Sequence, residues 1–206
     1  MADKGQFSIV IQAGGQSNRM GQDKALMPFL GRPLIARQVE RLSLLKAPIF
    51  VVTNRPEAYA FLGLPLVPDV LPGAGPLGGL LTALRAASST AVAVVACDMP
   101  FVNPLLLQAQ YGLLLSAAAD VVVPRSPRGI EPLHAVYRRA ACLGPVEAAL
   151  NAGERRVIAW FGAARVQELS PEDVARHDPE FLSFMNVNNP EEFRQAEALA
   201  QAREGT

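Results

Sequence analysis

The 206-residue sequence is poor in reactive side chains: two cysteines, two histidines, one tryptophan, and no excess charge of either sign. Each shortage excludes something. Cys97 and Cys142 supply neither a disulfide framework nor metal-ligand spacing, so two inert thiols are expected. His134 and His177 lack both metal-like spacing and a nucleophile partner, and no catalytic role is expected for either. With 19 basic and 19 acidic side chains the formal net charge is zero. No basic sheath is available to grip a nucleic acid, and any phosphate must be bound by a local site. No apolar run is long enough to span a bilayer, and Met1–Gln6 is polar rather than signal-like. The expectation is a cytoplasmic protein without a nucleic-acid or membrane partner.

What the chain has is hydrophobic material: 50% of its residues are apolar, enough for a sizeable core. Its length suits one α/β domain, residues 1–206. Phe7–Gln12, Ile49–Thr53, Ala91–Ala96 and Asp120–Pro124 are uniformly apolar, β-branched runs that read as strands buried on both faces, with Leu64–Val67 a weaker one. Between them Pro33–Leu45, Gly78–Ala87 and Leu105–Ala117 read as helices. This alternation predicts a three-layer αβα fold with a mostly parallel sheet. After residue 125 the rhythm changes. Arg125–Glu131 reads as a surface loop and Pro132–Tyr137 as a strand, and the second half is expected to carry an antiparallel strand. A short helix over Pro145–Asn151, a strand over Ala164–Leu169 and a last strand over Phe181–Val187 complete the pattern. A final helix begins at Pro190, with Asn189 as its cap and Glu192 at the capping-box position.

The strongest chemical signal follows the first strand: Ala13-Gly14-Gly15-Gln16-Ser17-Asn18-Arg19-Met20-Gly21-Gln22-Asp23-Lys24. Glycines at 14 and 15 let backbone N–H groups approach a ligand closely and form a concave anion site. Arg19 and Lys24 add two cations, a set that suits a triphosphate. The loop is not a phosphate-binding Walker loop, because Gly21 is followed by Gln22 rather than lysine. It lacks the glycine spacing of a dinucleotide fingerprint. Asp98 follows the Ala91–Ala96 strand, where a carboxylate either holds Mg²⁺ or caps a turn. Asn54 also lies just beyond a strand end, as a base or ribose contact or an ordinary turn residue, and Asp69, after Pro68, reads from the residues alone as a turn residue. Gly73–Gly79 is a second small-residue loop, feeding a helix N-terminus.

The first loop, with Gly75-Pro76-Leu77-Gly78-Gly79, Cys97-Asp98-Met99-Pro100-Phe101, Glu131-Pro132-Leu133 and Asn186-Val187-Asn188-Asn189-Pro190 in that order, resembles the molybdenum cofactor guanylyltransferases over nearly the whole chain. These form part of a nucleotidyltransferase superfamily with a Rossmann-like fold. The resemblance implies GTP and molybdopterin as substrates, Mg²⁺ on Asp98, and protein partners that deliver molybdopterin or chaperone molybdoenzymes. It implies a nucleotide-binding N-terminal half and an acceptor side over about residues 125–190. Arg19, Lys24 and Asp98 become the expected catalytic residues. Gln12, Ala13, Gly14, Gly15, Lys24, Asn54, Asp69, Gly78 and Asp98 are expected to bind GTP, and Glu131, Asn186 and Asn188 the acceptor. One position departs: Gln12 stands where the family usually has leucine. Related cytidylyltransferases tend toward Ala-Ala-Gly where this chain has Ala13-Gly14-Gly15, which favours guanine. Transfer to a sugar phosphate, or nucleotide binding without catalysis, are the competing readings.

Overall fold

The computed structural model describes residues 7–13 and 23–204. In chain order its strands are β1 (Phe7–Gln12), β2 (Pro28–Phe29), β3 (Arg32–Pro33), β4 (Ile49–Val52), β5 (Leu66–Val67), β6 (Ala91–Ala96), β7 (Val121–Ser126), β8 (Gly129–Ile130), β9 (His134–Arg138) and β10 (Val166–Leu169). Its helices are α1 (Leu34–Ser43), α2 (Pro56–Tyr59), α3 (Gly75–Ala86), α4 (Pro104–Ser116), α5 (Arg139–Asn151), α6 (Pro171–Ala175) and α7 (Pro190–Glu204). The main sheet has eight strands in the order β10-β7-β9-β6-β1-β4-β5, with β8 paired to β7. β1, β4, β5 and β6 are mutually parallel. β9 runs antiparallel to both β6 and β7, the reversed strand expected after residue 125.

Side-chain alternation along the strands divides the core between the two faces of the sheet. Val10, Val52, Val92, Val94, Val121 and Val123 pack with Leu77, Leu80 and Leu84 of α3 and with Cys142 and Val146 of α5. Ile9, Ile11, Val51, Ala93, Val95 and Val122 pack with Ile35 and Leu42 of α1 and with Leu107 and Leu114 of α4. Strands buried on both faces need no polar alternation, which is why they read as continuous apolar runs. The capping geometry at α7 follows the sequence pattern. Asn189 Oδ1 accepts from Glu192 N at 2.9 Å, while the Glu192 carboxylate accepts from Asn188 N at 2.6 Å. No helix among the described residues is long and apolar enough to cross a membrane.

Three local expectations fail for identifiable reasons. Phe181–Val187 is not a strand. Phe181 takes a left-handed φ of 55°, and Leu182–Phe184 form a 3₁₀ turn. The Asp178 carboxylate accepts from the backbone N–H groups of Leu182 and Ser183, at 3.1 and 2.7 Å, so the segment has a local partner in place of a sheet neighbour. Arg125–Glu131 is no free loop but a tight hairpin, pairing Arg125 with Ile130 and Ser126 with Gly129. The α5 helix starts at Arg139, not Pro145. Cys142, Val146 and Leu150, spaced four apart and buried, hold it on the sheet despite the proline inside it.

Candidate active site

Ligands of open α/β sheets gather beyond the carboxyl ends of the strands. Gln12 ends β1 there, Asn54 and Asp69 lie just past β4 and β5, and Asp98 just past β6. Gly14, Gly15 and Arg19 lie outside the described residues. The structure resumes at Asp23, whose carboxylate accepts from Ala25 N and caps a 3₁₀ turn at Lys24–Leu26. The same carboxylate accepts a 2.5 Å bond from the Tyr59 hydroxyl and pairs with Arg55. Tyr59 is fully buried on α2, and burial, then the bond to Asp23, pushes its hydroxyl pKa far up. The root of Lys24 is therefore clamped to α2 and the residue that precedes it.

Lys24 is 9% exposed, and its ammonium donates to the Asn188 side-chain oxygen at 3.0 Å. The 186–188 segment is fixed in turn by Val187 N, which donates to the Asp98 carbonyl at 3.0 Å. Lys24, Asp98 and Asn188 thus meet across 164 residues of sequence separation between Lys24 and Asn188. Desolvation raises the Asp98 carboxyl above its ordinary range, and neighbouring Lys24 opposes that shift. Asn186, in the same segment, has a buried side-chain oxygen with no hydrogen-bond partner. Cys97 lies beside these groups, its thiol pushed up mainly by burial, and is no nucleophile at neutral pH.

The remaining expected residues form a second group on the α3 side. Asn54 and Asp69 bind each other: Asn54 Nδ2 donates to the Asp69 carboxylate at 3.0 Å, and Asp69 N donates to Asn54 Oδ1 at 2.9 Å. The Thr82 hydroxyl of α3 lies 3.3 Å from the other Asp69 oxygen and 3.0 Å from the Gly78 carbonyl, and its single O–H donates to one of the two. Gly78 has a packing reason to be glycine, since a Cβ there would lie 2.6 Å from the Ala74 Cβ. A Cβ at Gly79 would lie 2.7 Å from the Gln12 side-chain oxygen, so the Gln12 amide fills the space above that helix turn. Its Nε2 is buried and without a partner. Ala13, also buried, donates its N–H to the Val52 carbonyl at 2.8 Å. Glu131 stands apart: it accepts from the Ser126 hydroxyl at 2.7 Å, and burial raises its carboxyl. His134 is buried, edge-on to Phe184, and its pKa falls to about 4 through desolvation, a packed side chain rather than an acid or base.

Sequence reasoning missed Thr82 and the Asp23–Tyr59–Arg55 clamp. Asp23 carried a legible signal, a short acidic side chain directly before the lysine. Tyr59 and Arg55 carried none, because their partner lies more than 30 residues away.

An αβα layering with strand-end polar residues, a buried lysine near a carboxylate, and a small-residue loop opening α3 fit the nucleotidyltransferase class. The comparisons narrow the class. Residues 9–168 match the model of the MobA-like NTP transferase domain. The chain is 38% identical over 196 residues, covering 95% of itself and 94% of the relative, to the probable molybdenum cofactor guanylyltransferase of Pelotomaculum thermopropionicum. It is 33% identical over 186 residues, 90% of itself and 88% of the relative, to the molybdenum cofactor guanylyltransferase of Syntrophotalea carbinolica. The crystal structure of molybdopterin-guanine dinucleotide biosynthesis protein A from Archaeoglobus fulgidus superposes with a TM-score of 0.83 at 27% identity, over 95% of this chain and 99% of that one. The chain belongs to the molybdenum cofactor guanylyltransferase family, within the MobA-like NTP transferases.

Such a family generally uses a divalent metal. Among the described residues no three of the metal-ligating types His, Cys, Asp and Glu gather into a closed cage, and a metal there would have to be held by an isolated carboxylate such as that of Asp98. That donor set suits Mg²⁺, which takes one or two carboxylates and completes its shell with phosphate oxygens and water.

Proposed function

We propose that the chain transfers GMP from GTP to the terminal phosphate of molybdopterin, or of its molybdenum-loaded form, releasing pyrophosphate and forming a guanine dinucleotide cofactor. The observation that supports this reading is the Lys24–Asn188 bond together with the bond from Val187 N to the Asp98 carbonyl, which bring Lys24 to the neighbourhood of Asp98 beyond the end of β6. A phosphate nucleophile is already largely anionic near neutral pH, its second pKa being about 6. No general base is required, which agrees with a site whose nearby histidine is packed and whose cysteine is protonated. The work left to the protein is to bring two anions into line and to offset their charge.

In this reading Asp98 holds Mg²⁺, which when bound polarises the α-phosphate and neutralises its oxygens. Lys24, rooted by Asp23 and Tyr59, stabilises charge on the triphosphate and the departing pyrophosphate. Arg19, with Gly14 and Gly15, completes the phosphate cradle. Gln12, Ala13 and Gly78 line the base side, with Asn54 and Asp69 toward the ribose. Glu131, Asn186 and Asn188 serve the acceptor, within a single domain whose residues 125–190 form the acceptor side. Proteins that deliver molybdopterin or receive its product are the expected partners in the cytoplasm.

Titration of the purified protein with GTP, CTP, UTP and ATP in the presence of Mg²⁺, repeated on Asp98→Ala, tests the nucleotide. The reading predicts a preference for GTP and a metal dependence that the variant loses. A preference for CTP or UTP would keep the class and overturn the named substrate.

A further inference from the structure

Lys24 presents a physical problem that the site description leaves open. An ammonium group with 9% of its residue exposed has been taken out of water, at a cost normally offset by a carboxylate. Asp98 is near enough to feel its charge, yet Lys24 and Asp98 form no ion pair. Among the described residues, the hydrogen-bond partner of the ammonium is neutral: the side-chain oxygen of Asn188, at 3.0 Å.

Asn188 is held firmly in that place. Its own N–H donates to the Glu192 carboxylate at 2.6 Å, and the preceding Val187 N donates to the Asp98 carbonyl at 3.0 Å. The lysine is held at its other end by Asp23, which Tyr59 and Arg55 clamp. Among the described residues, two anchored backbones therefore meet through a bond from a cation to an uncharged oxygen. An amide oxygen satisfies one N–H of the ammonium and contributes no net charge. A phosphate oxygen offers the same acceptor geometry with a full negative charge and makes the stronger bond.

We propose that Asn188 is a positioning residue and a placeholder for Lys24: its amide oxygen occupies, in the nucleotide-free protein, the coordination position that a triphosphate oxygen takes on binding. The proposal rests on the nucleotidyl-transfer reading and refines the place of Asn188 within it, from the acceptor side to the triphosphate side. The nucleotide then has to break the Lys24–Asn188 bond, so the protein's own amide lowers nucleotide affinity while keeping the cation aimed. A carboxylate at position 188 would compete too well, and an apolar side chain would leave the buried ammonium unsatisfied, which accounts for an amide there.

The test is a double-mutant cycle on nucleotide binding, using wild type, Asn188→Ala, Lys24→Ala and the double variant, titrated with GTP and Mg²⁺ without acceptor. Removing the competing amide should tighten GTP binding about threefold to tenfold, the range of one hydrogen bond. In the Lys24→Ala background the same change should leave GTP binding unaltered. Asn188→Asp, which keeps the side-chain shape and adds charge, should weaken binding in the presence of Lys24 by more than in its absence. Equal effects of Asn188→Ala in both backgrounds, or weaker binding in the Asn188→Ala single variant, would overturn the proposal. If the wild type prefers another nucleoside triphosphate, the cycle is run with that one, so a wrong base leaves this test intact.

Discussion

The two edges formed by the strand ends of the main sheet, one where β7 begins and the other where β1 and β6 end, are built to opposite rules. At the edge where β7 begins, polar groups are closed on one another. The Asp120 carboxylate accepts from the Arg165 guanidinium at both oxygens, at 3.0 and 2.7 Å, and from Arg165 N at 3.0 Å. Arg138 donates to the carbonyls of Ala119 and Leu114, both at 2.9 Å, and Arg139 donates to Leu84 O at 2.8 Å. At the opposite edge, where β1 and β6 end, Gln12 Nε2 and Asn186 Oδ1 are buried without partners, and Lys24 rests on a neutral amide. Burial raises the carboxyl of Asp98 there, whereas the Arg165 bonds lower that of Asp120. Unsatisfied buried groups cost stability, and those of Gln12 and Asn186 lie where a bound ligand would satisfy them. One edge closes its polar groups on one another and the other leaves some unpaired.

The contrast can be broken by substitution, beginning with the largest effect. Lys24→Ala should lower turnover on the order of a hundredfold, with a smaller change in GTP binding. Steady-state kinetics beside a binding titration measure both, and wild-type turnover would remove Lys24 from the mechanism. Asp120→Asn, at the closed edge, should instead cost about 1 kcal/mol of stability, because the partner arginine is largely exposed, and should leave activity unchanged. The sign with pH follows from its lowered carboxyl. That stability is present above the ordinary carboxylate range and is lost as pH falls through the folded-state value, so wild type and variant should converge in acid. Asp98→Asn should do the reverse. Its carboxyl is raised in the folded state, so ionisation costs stability at neutral pH, and the variant should melt a few degrees higher there. The gain should vanish below about pH 4, where aspartate is protonated in both states. Thermal melts across pH measure both variants. A lower neutral melting point for Asp98→Asn would mean that Asp98 belongs with the closed edge.

How far the sequence discloses this arrangement depends on the range of the interactions involved. The apolar runs of β1, β4, β6 and β7 were legible because burial on both faces leaves no room for polar residues. The α7 cap was legible because Asn189 and Glu192 bond locally. Phe181–Val187 misled, since its apolar residues serve a turn organised by Asp178, and apolar content alone does not separate a strand from a packed turn. Lys24 and Asp98 were legible as candidates from their motifs, and the family relationship supports the class. Their meeting with Asn188 was not legible, because nothing local ties residues 164 positions apart. Tyr59, Arg55 and Thr82 were hidden for the same reason: each supports a site residue from a distant element.

The most direct test of guanylyl transfer is acceptor-dependent pyrophosphate release. Wild type and Asp98→Ala would be given GTP and Mg²⁺, with and without molybdopterin under anaerobic conditions. The account predicts rapid release with wild type only when both substrates are present, reduced on the order of a thousandfold by Asp98→Ala through lost charge stabilisation at the α-phosphate. Release that ignores molybdopterin, or that survives in Asp98→Ala, would contradict it.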